Sequence, residues 1–414
     1  MSRTQKILFL FLIAFLATTS QSSHAVAKAG DACKKAGSTT VSSGKKFTCI
    51  KSGKKLVWNK GVAVAKPKPV QTPAPLPTPT PEPTPSPTPT VYVPPTPIAT
   101  PIPAPIVEKA PTGFTDLVEN YRGIPGAVWN EAQKLSAAGN VKSSFTITLG
   151  PNTKIQAGLG DPEELLIRAS KLWSNYNQSS QTKVFLFSFT DLGWAQQKLR
   201  ELGGSWFTPE DLAGNCSSLR SCGAFGGSYR GVGHIFIGVP IREYTFFNLG
   251  YVRGNYAHEF THTVQYAQFA KTPLVNGYSI MPCWFSEGQP QVPGTSLGFE
   301  TLTDYKMQRN YWFDQPAGEL GDYTTESILK FYSLTGSPRG GQCKASVRSR
   351  VYDVGYISVE ALAAIKGINS TMDVVIGVAD GLTFEESFKR VYGISWTEAA
   401  PILAKAVSRM ILER

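Results

Sequence analysis

The sequence predicts an α+β protein, with a small N-terminal module and a proline-rich linker ahead of one large domain. Three observations carry this. Strand-like and helix-like patterns are mixed through the first half of residues 113–414, and helical patterns dominate from Gly250 onward. Thr-Pro pairs run through residues 72–90 and separate two stretches of ordinary composition. The chain has six cysteines, an even number, and two of them fall within the short first module.

Residues 1–27 read as an export signal. Arg3 and Lys6 give a charged start, Ile7 to Thr19 is an apolar run of 13 residues, and small residues follow, with cleavage after Ala25 or Ala27. The run is short for a stable transmembrane helix, although an uncleaved anchor is the competing reading. No other stretch is long and apolar enough to span a bilayer.

Residues 28–61 form the module, with glycines at turn positions between short strand-like pieces such as Lys46 to Lys51. So few residues bury little core, so a Cys33–Cys49 disulfide is expected to hold it. Residues 28–68 carry eleven Lys against Asp31 alone, a net of +10. Arg3 and Lys6 add two, so the overall +11 leaves about −1 beyond residue 68. The basic balance therefore belongs to the module and implies an acidic neighbour such as an anionic cell wall or membrane. Basic and aromatic residues are not interleaved as a nucleic-acid partner would require.

Residues 62–112 are the linker. Its proline density from Pro67 onward favours polyproline II, which at ~3.1 Å per residue extends on the order of 140 Å. This suits a spacer crossing a cell wall, or a plain flexible separator.

Within residues 113–414, Pro162 to Tyr176 and Asp191 to Leu202 read as helices, and Lys183 to Phe189 and Gly233 to Val239 as strands. The second strand is either an inner strand or an edge to which an extended peptide could add. Helices follow at Tyr251 to Phe269, Glu300 to Asn310, Asp353 to Ile365, Thr383 to Tyr392 and Trp396 to Leu412. The four remaining cysteines allow three connectivities, of which Cys216–Cys222 and Cys283–Cys343 are favoured. Such pairing belongs to an oxidising compartment.

The chemistry concentrates in Ala257-His258-Glu259-Phe260-Thr261-His262-Thr263. Positions i and i+4 share a helix face, so both imidazoles can meet one zinc ion, with Glu259 beside the first ligand as general base toward its water. A third ligand is needed for an open catalytic site. No histidine follows His262, and the best candidate is Glu287 in Trp284-Phe285-Ser286-Glu287-Gly288, 25 positions on. His234, the remaining histidine outside the first segment, reads as structural more readily than as a substrate contact.

The HExxH followed by Trp-x-x-Glu-Gly resembles the gluzincin zinc metallopeptidases, in particular the M1-like or peptidase MA-like group. The resemblance covers about residues 230–365 and implies a zincin-like domain over 113–414. It makes His258, His262 and Glu287 the zinc ligands and Glu259 the base. It also implies an oxyanion-donating tyrosine, matched by Tyr352 in Tyr352-Asp353-Val354-Gly355, with Tyr356 as runner-up. The chain departs from the group in several places, the first being a longer spacer between His262 and Glu287 than the aminopeptidases have. No Gly-x-Met-Glu-Asn segment is present to hold a free α-amine. Four positions after the third ligand, where thermolysin-like enzymes carry Asp, stands Gln291, so the residues that orient the ligands are not identified. Pro290 also interrupts the Glu287 helix early. The N-terminal module resembles a short Cys-containing repeat found near the termini of exported actinobacterial proteins.

The expected function is that of a secreted or wall-associated zinc endopeptidase acting on a peptide or protein. The alternatives are a non-catalytic surface-binding protein on the same scaffold and a zinc hydrolase of non-peptide amides. Glu259 distinguishes the first, because a purely structural zinc site needs no base.

Overall fold

The computed structural model describes residues 29–63 apart from 34, 43–44 and 54. It also describes residues 108–414 apart from 157, 203–206, 215, 219–220, 242–245, 272–279, 315–316 and 337–348. The expected signal, most of the linker and Cys343 lie outside the described residues. The chain divides into two units, Met1–Ala99 and Thr100–Arg414.

In the first unit, β1 (Thr39–Ser42), β2 (Lys45–Ser52), β3 (Lys55–Trp58) and β4 (Val62–Ala63) form an antiparallel sheet in which β2 pairs with the other three. Among its described residues only Phe47 and Cys49 are buried hydrophobics. So small a core leaves the Cys33–Cys49 disulfide as the main constraint on the unfolded chain. Lys45, Lys46, Lys51 and Lys55 are all exposed on this sheet.

The second unit is a mixed α+β arrangement. It begins with α1 (Ile124–Ala138), β5 (Ser144–Leu149), α2 (Pro162–Leu172), β6 (Gln181–Phe187), α3 (Leu192–Glu201) and α4 (Pro209–Gly214). The hairpin β7 (Cys216–Ser218) and β8 (Ser221–Cys222) follows, then β9 (Ala224–Tyr229) and β10 (Val232–Gly238). The sheet order is β5-β6-β10-β9, with β5, β6 and β10 parallel and β9 antiparallel at the edge. Residues 233–238 thus belong to an inner strand, and the sheet's edges are β5 and β9. In the hairpin, Cys216 faces Cys222 and the two are bridged. Cys283 is also disulfide-bonded.

Helices make up the rest: α5 (Phe246–Gln268), α6 (Cys283–Leu297), α7 (Leu302–Tyr311), α8 (Thr325–Thr335), α9 (Val354–Lys366), α10 (Ile368–Ala379), α11 (Phe384–Tyr392) and α12 (Trp396–Leu412). Several start on side-chain caps. Thr383 and Ser395 each accept from the backbone N–H three residues on and form reciprocal capping boxes with Glu386 and Glu398. Among the described residues no single helix is long and apolar enough to cross a membrane.

The alternation of β10 divides the core. Ile235 and Ile237 face the main cluster, with Phe260 and Val264 of α5, while Phe236 faces a smaller cluster with Leu199 of α3 and Leu212 of α4. The main cluster continues through α6, α9, α10 and α12. The layer that matters for the site is α5, covered on one side by the sheet and on the other by α6, with α9 beyond.

Candidate metal centre

Helix α5 carries His258 and His262 one turn apart, both buried. It lies unusually close to its neighbours. A Cβ at Gly226 on β9 would fall 2.1 Å from the carbonyl oxygen of Glu259, so only glycine lets the edge strand approach α5 there. On the far side, a Cβ at Gly294 of α6 would fall 3.0 Å from the Gly254 carbonyl oxygen and 3.2 Å from the His258 Cβ. The glycines bring α6, with Glu287 on its first turns, onto the histidine face of α5.

Every residue of α6 is buried, including Pro290 and Pro293 in its interior. Pro290 cannot donate to the carbonyl four residues back, that of Ser286. That oxygen accepts instead from Gln265 Nε2 at 3.2 Å. The interruption by Pro290 therefore leaves a carbonyl that α5 uses as an anchor.

His258, His262 and Glu287 converge, each offering one ligand atom within 4.8 Å of the others. The two Nε2 atoms are 3.1 Å apart, and Glu287 Oε2 lies 3.5 Å from His258 Nε2 and 3.4 Å from His262 Nε2. Tetrahedral zinc with ligand bonds of ~2.0–2.1 Å holds its donors roughly 3.3–3.4 Å apart. The three edges of the observed triangle straddle that spacing, so the group can hold a metal ion.

Each ligand histidine is oriented through its other nitrogen. His262 Nδ1 lies 2.8 Å from Gln265 Oε1, and His258 Nδ1 lies 2.9 Å from Gln291 Oε1. An amide oxygen accepts only, so each Nδ1 donates and each Nε2 is turned toward the common point. Gln265 is held by donating to the Gln289 Oε1 (2.5 Å) as well as to Ser286. Gln289 donates in turn to Thr371 Oγ1 of α10 (3.3 Å), which donates to the Ile368 carbonyl (2.7 Å). Gln291, four positions after Glu287, thus does the orienting of His258 with a neutral amide.

The electrostatics follow from this crowding. Burial works to raise the Glu287 carboxyl, but hydrogen bonds and charge from both histidines outweigh it and hold it far below the usual carboxylate range. Burial works to lower the His262 imidazole, and the hydrogen bond and charge of Glu287, the charge of Glu259 and the Gln265 contact outweigh it, so it is raised. Glu259 is raised chiefly by burial, with Glu287 adding to the effect and the two histidines opposing it.

Of the two candidate tyrosines, Tyr352 is on the histidine side. Its ring centroid is 6.1 Å from that of His258, and it sits half-buried just before α9. Tyr356 is fully buried within α9 and donates to the Tyr305 hydroxyl at 2.9 Å. His234 shares the β10 face of Phe236, the face turned away from α5, and burial foremost, then Lys183, lowers it to about 4. It takes no part in the triad. Gln265, Gln289 and Thr371 were not singled out from the sequence. The one available signal was the i+3 placement of Gln265 after His262.

The chain matches no family model, no curated protein and no solved structure.

Proposed function

We propose that this chain is an exported, zinc-dependent peptidase of the gluzincin type, acting within the unit that holds His258, His262 and Glu287. The observation that carries this is the combination of a three-donor triangle of zinc-like dimensions with Glu259, a buried carboxylate the triangle does not use. A binding site for a purely structural cation would have no need of such a residue.

His258, His262 and Glu287 would hold the ion. When bound, zinc polarises a substrate carbonyl and acidifies water. The chain's own groups then supply proton transfer and placement. Burial raises Glu259 above the ordinary carboxylate value, and in this reading its carboxylate takes a proton from the attacking water and passes it to the leaving amine nitrogen. The role of donating to the oxygen that gains charge on the substrate carbonyl falls in this reading to Tyr352, and its ring's place 6.1 Å from that of His258 supports the choice. Edge strand β9, laid against α5 at Gly226, is where an extended peptide would add.

The Cys33–Cys49 and Cys216–Cys222 bridges fit an oxidising location. With the apolar N-terminal segment they support export, and the exposed lysines of the first unit support retention at an anionic wall or membrane surface.

Hydrolysis of a general protein substrate by the parent and by Glu259→Gln tests the catalytic reading. The variant should keep its metal and lose activity by a factor of about 10² or more. Equal activity in both would remove Glu259 from the mechanism. A zinc-loaded parent with no activity toward peptides would favour the binding-protein alternative.

A further inference from the structure

We propose that one face of the N-terminal sheet docks onto an anionic lipid surface, with Ile50 and Val62 entering the headgroup layer beside the amines of Lys46 and Lys55. The setting rests on the export reading above, and the peptidase reading plays no part in it. Residues 28–68 carry eleven Lys against Asp31 alone, and Asp31 stands outside the four strands. Such a unit is drawn to any dense negative surface. The apolar residues on one of its faces narrow the choice.

Strand pairing defines that face. Side chains alternate along β2, so Phe47 and Cys49 point one way and Lys46, Thr48, Ile50 and Ser52 the other. Phe47 and Cys49 are buried, and the bridge to Cys33 lies on their side. Residues directly opposite one another share a face. Val62 of β4 stands opposite Lys46, Val57 of β3 opposite Ile50, and Lys55 opposite Ser52. The second face thus runs from Lys46 with Val62, through Thr48, to Ile50 with Val57 and then Ser52 with Lys55. From Lys46 to Ser52 it extends about 20 Å, at ~3.3 Å per residue. Lys46 and Lys55 are exposed. Ile50 is 43 % exposed, and Val62, at 69 %, is the most exposed large hydrophobic among the described residues.

A hydrated polyanion, such as a wall polymer, offers charge but no apolar phase, and Ile50 and Val62 would stay in water against it. A lipid surface takes both kinds of side chain. The lysine amines meet headgroup phosphates while their stems and the two aliphatic side chains settle toward the acyl boundary. Two such side chains bury too little area to hold the protein alone, and charge alone is screened by salt. Binding therefore draws on both, and it is reversible. The alternation that buries Phe47 and Cys49 on one side is what leaves this pairing of cations and aliphatics on the other.

The test is co-sedimentation of residues 28–414, both units intact, with vesicles of phosphatidylcholine alone or with about 30 % phosphatidylglycerol. Residues 1–27 are left off because the apolar run Ile7 to Thr19 would bind lipid by itself. The parent should pellet with the anionic vesicles, not with the neutral ones, and come off at high salt. Ile50→Ser with Val62→Ser should weaken binding about tenfold. Lys46→Gln with Lys55→Gln should weaken it about 30-fold, a factor of about five for each lysine at an anionic surface. Lys45→Gln with Lys51→Gln removes the same charge from the opposite face and should weaken it at most about threefold. Thiol counting, which reads the Cys33–Cys49 bridge, shows that each variant keeps the unit folded. A parent that pellets with anionic wall fragments but not with vesicles overturns the proposal. So does a folded Ile50→Ser, Val62→Ser variant with parental affinity. If binding is as described but cell fractionation finds the chain retained inside, the lipid-binding face stands and the export reading fails.

Discussion

Gly288 and Gly355 touch where α6 crosses α9: a Cβ at Gly288 would lie 2.4 Å from the Gly355 carbonyl oxygen. The obstacle is backbone and cannot swing aside. Gly288→Ala should therefore push the helices apart and cost about 2–3 kcal/mol of unfolding free energy. Because Glu287 is the adjacent residue, zinc affinity should fall with it. Urea denaturation together with metal content checks this, and a variant with parental stability would mean that α6 and α9 are not in contact at this point.

Gln265 ties His262 to Ser286 and Gln289. Replacing it with Leu removes the acceptor that fixes the His262 ring. Zinc affinity should drop about 10- to 100-fold, measured by chelator competition. A thermal midpoint of the metal-free variant separates this from general unfolding. Parental affinity would show that His262 needs no orientation from α5's next turn.

Asp353 supplies a pH test away from the ligands. It is buried, and burial raises it to about 6, against the lowering effects of the Arg350 ion pair at 3.0 Å and of the Val354 N–H it caps. Because the folded value lies above the ordinary 3.8, its stabilising contribution is full below that value. The contribution is lost as pH rises through about 6. Relative to Asp353→Asn, the parent should lose roughly 2–3 kcal/mol between acid and neutral pH. Urea unfolding of both proteins across that range measures the difference. A difference that does not change with pH would place the carboxyl in solvent.

The parts of the molecule that were legible are those with a periodic or punctuated signal. Helices α11 and α12 begin after Thr383 and Ser395, where the capping boxes sit, and α12 has the bounds its pattern implied. His258 and His262 were legible because a helical turn fixes their meeting. Helix α6 has no apolar stripe, because it is buried all round and contains two prolines. Strand β9 holds Gly226 and Gly227, which blur a strand pattern, and the close approach of α5 is what requires Gly226. Helix α5 begins at Phe246, earlier than its histidine-flanking pattern implied. The amides around the ligands carry no charge and follow no spacing rule, so Gln265, Gln289 and the role of Gln291 emerge only when α5 and α6 are placed side by side.

Metal stoichiometry measured on purified protein and on single-ligand variants is the most direct check. The parent should carry about one zinc per chain, His258→Ala, His262→Ala and Glu287→Ala should each lose it, and Glu259→Gln should keep it. A parent devoid of metal after zinc loading, or a Glu287→Ala variant that still holds a full equivalent, would contradict the account.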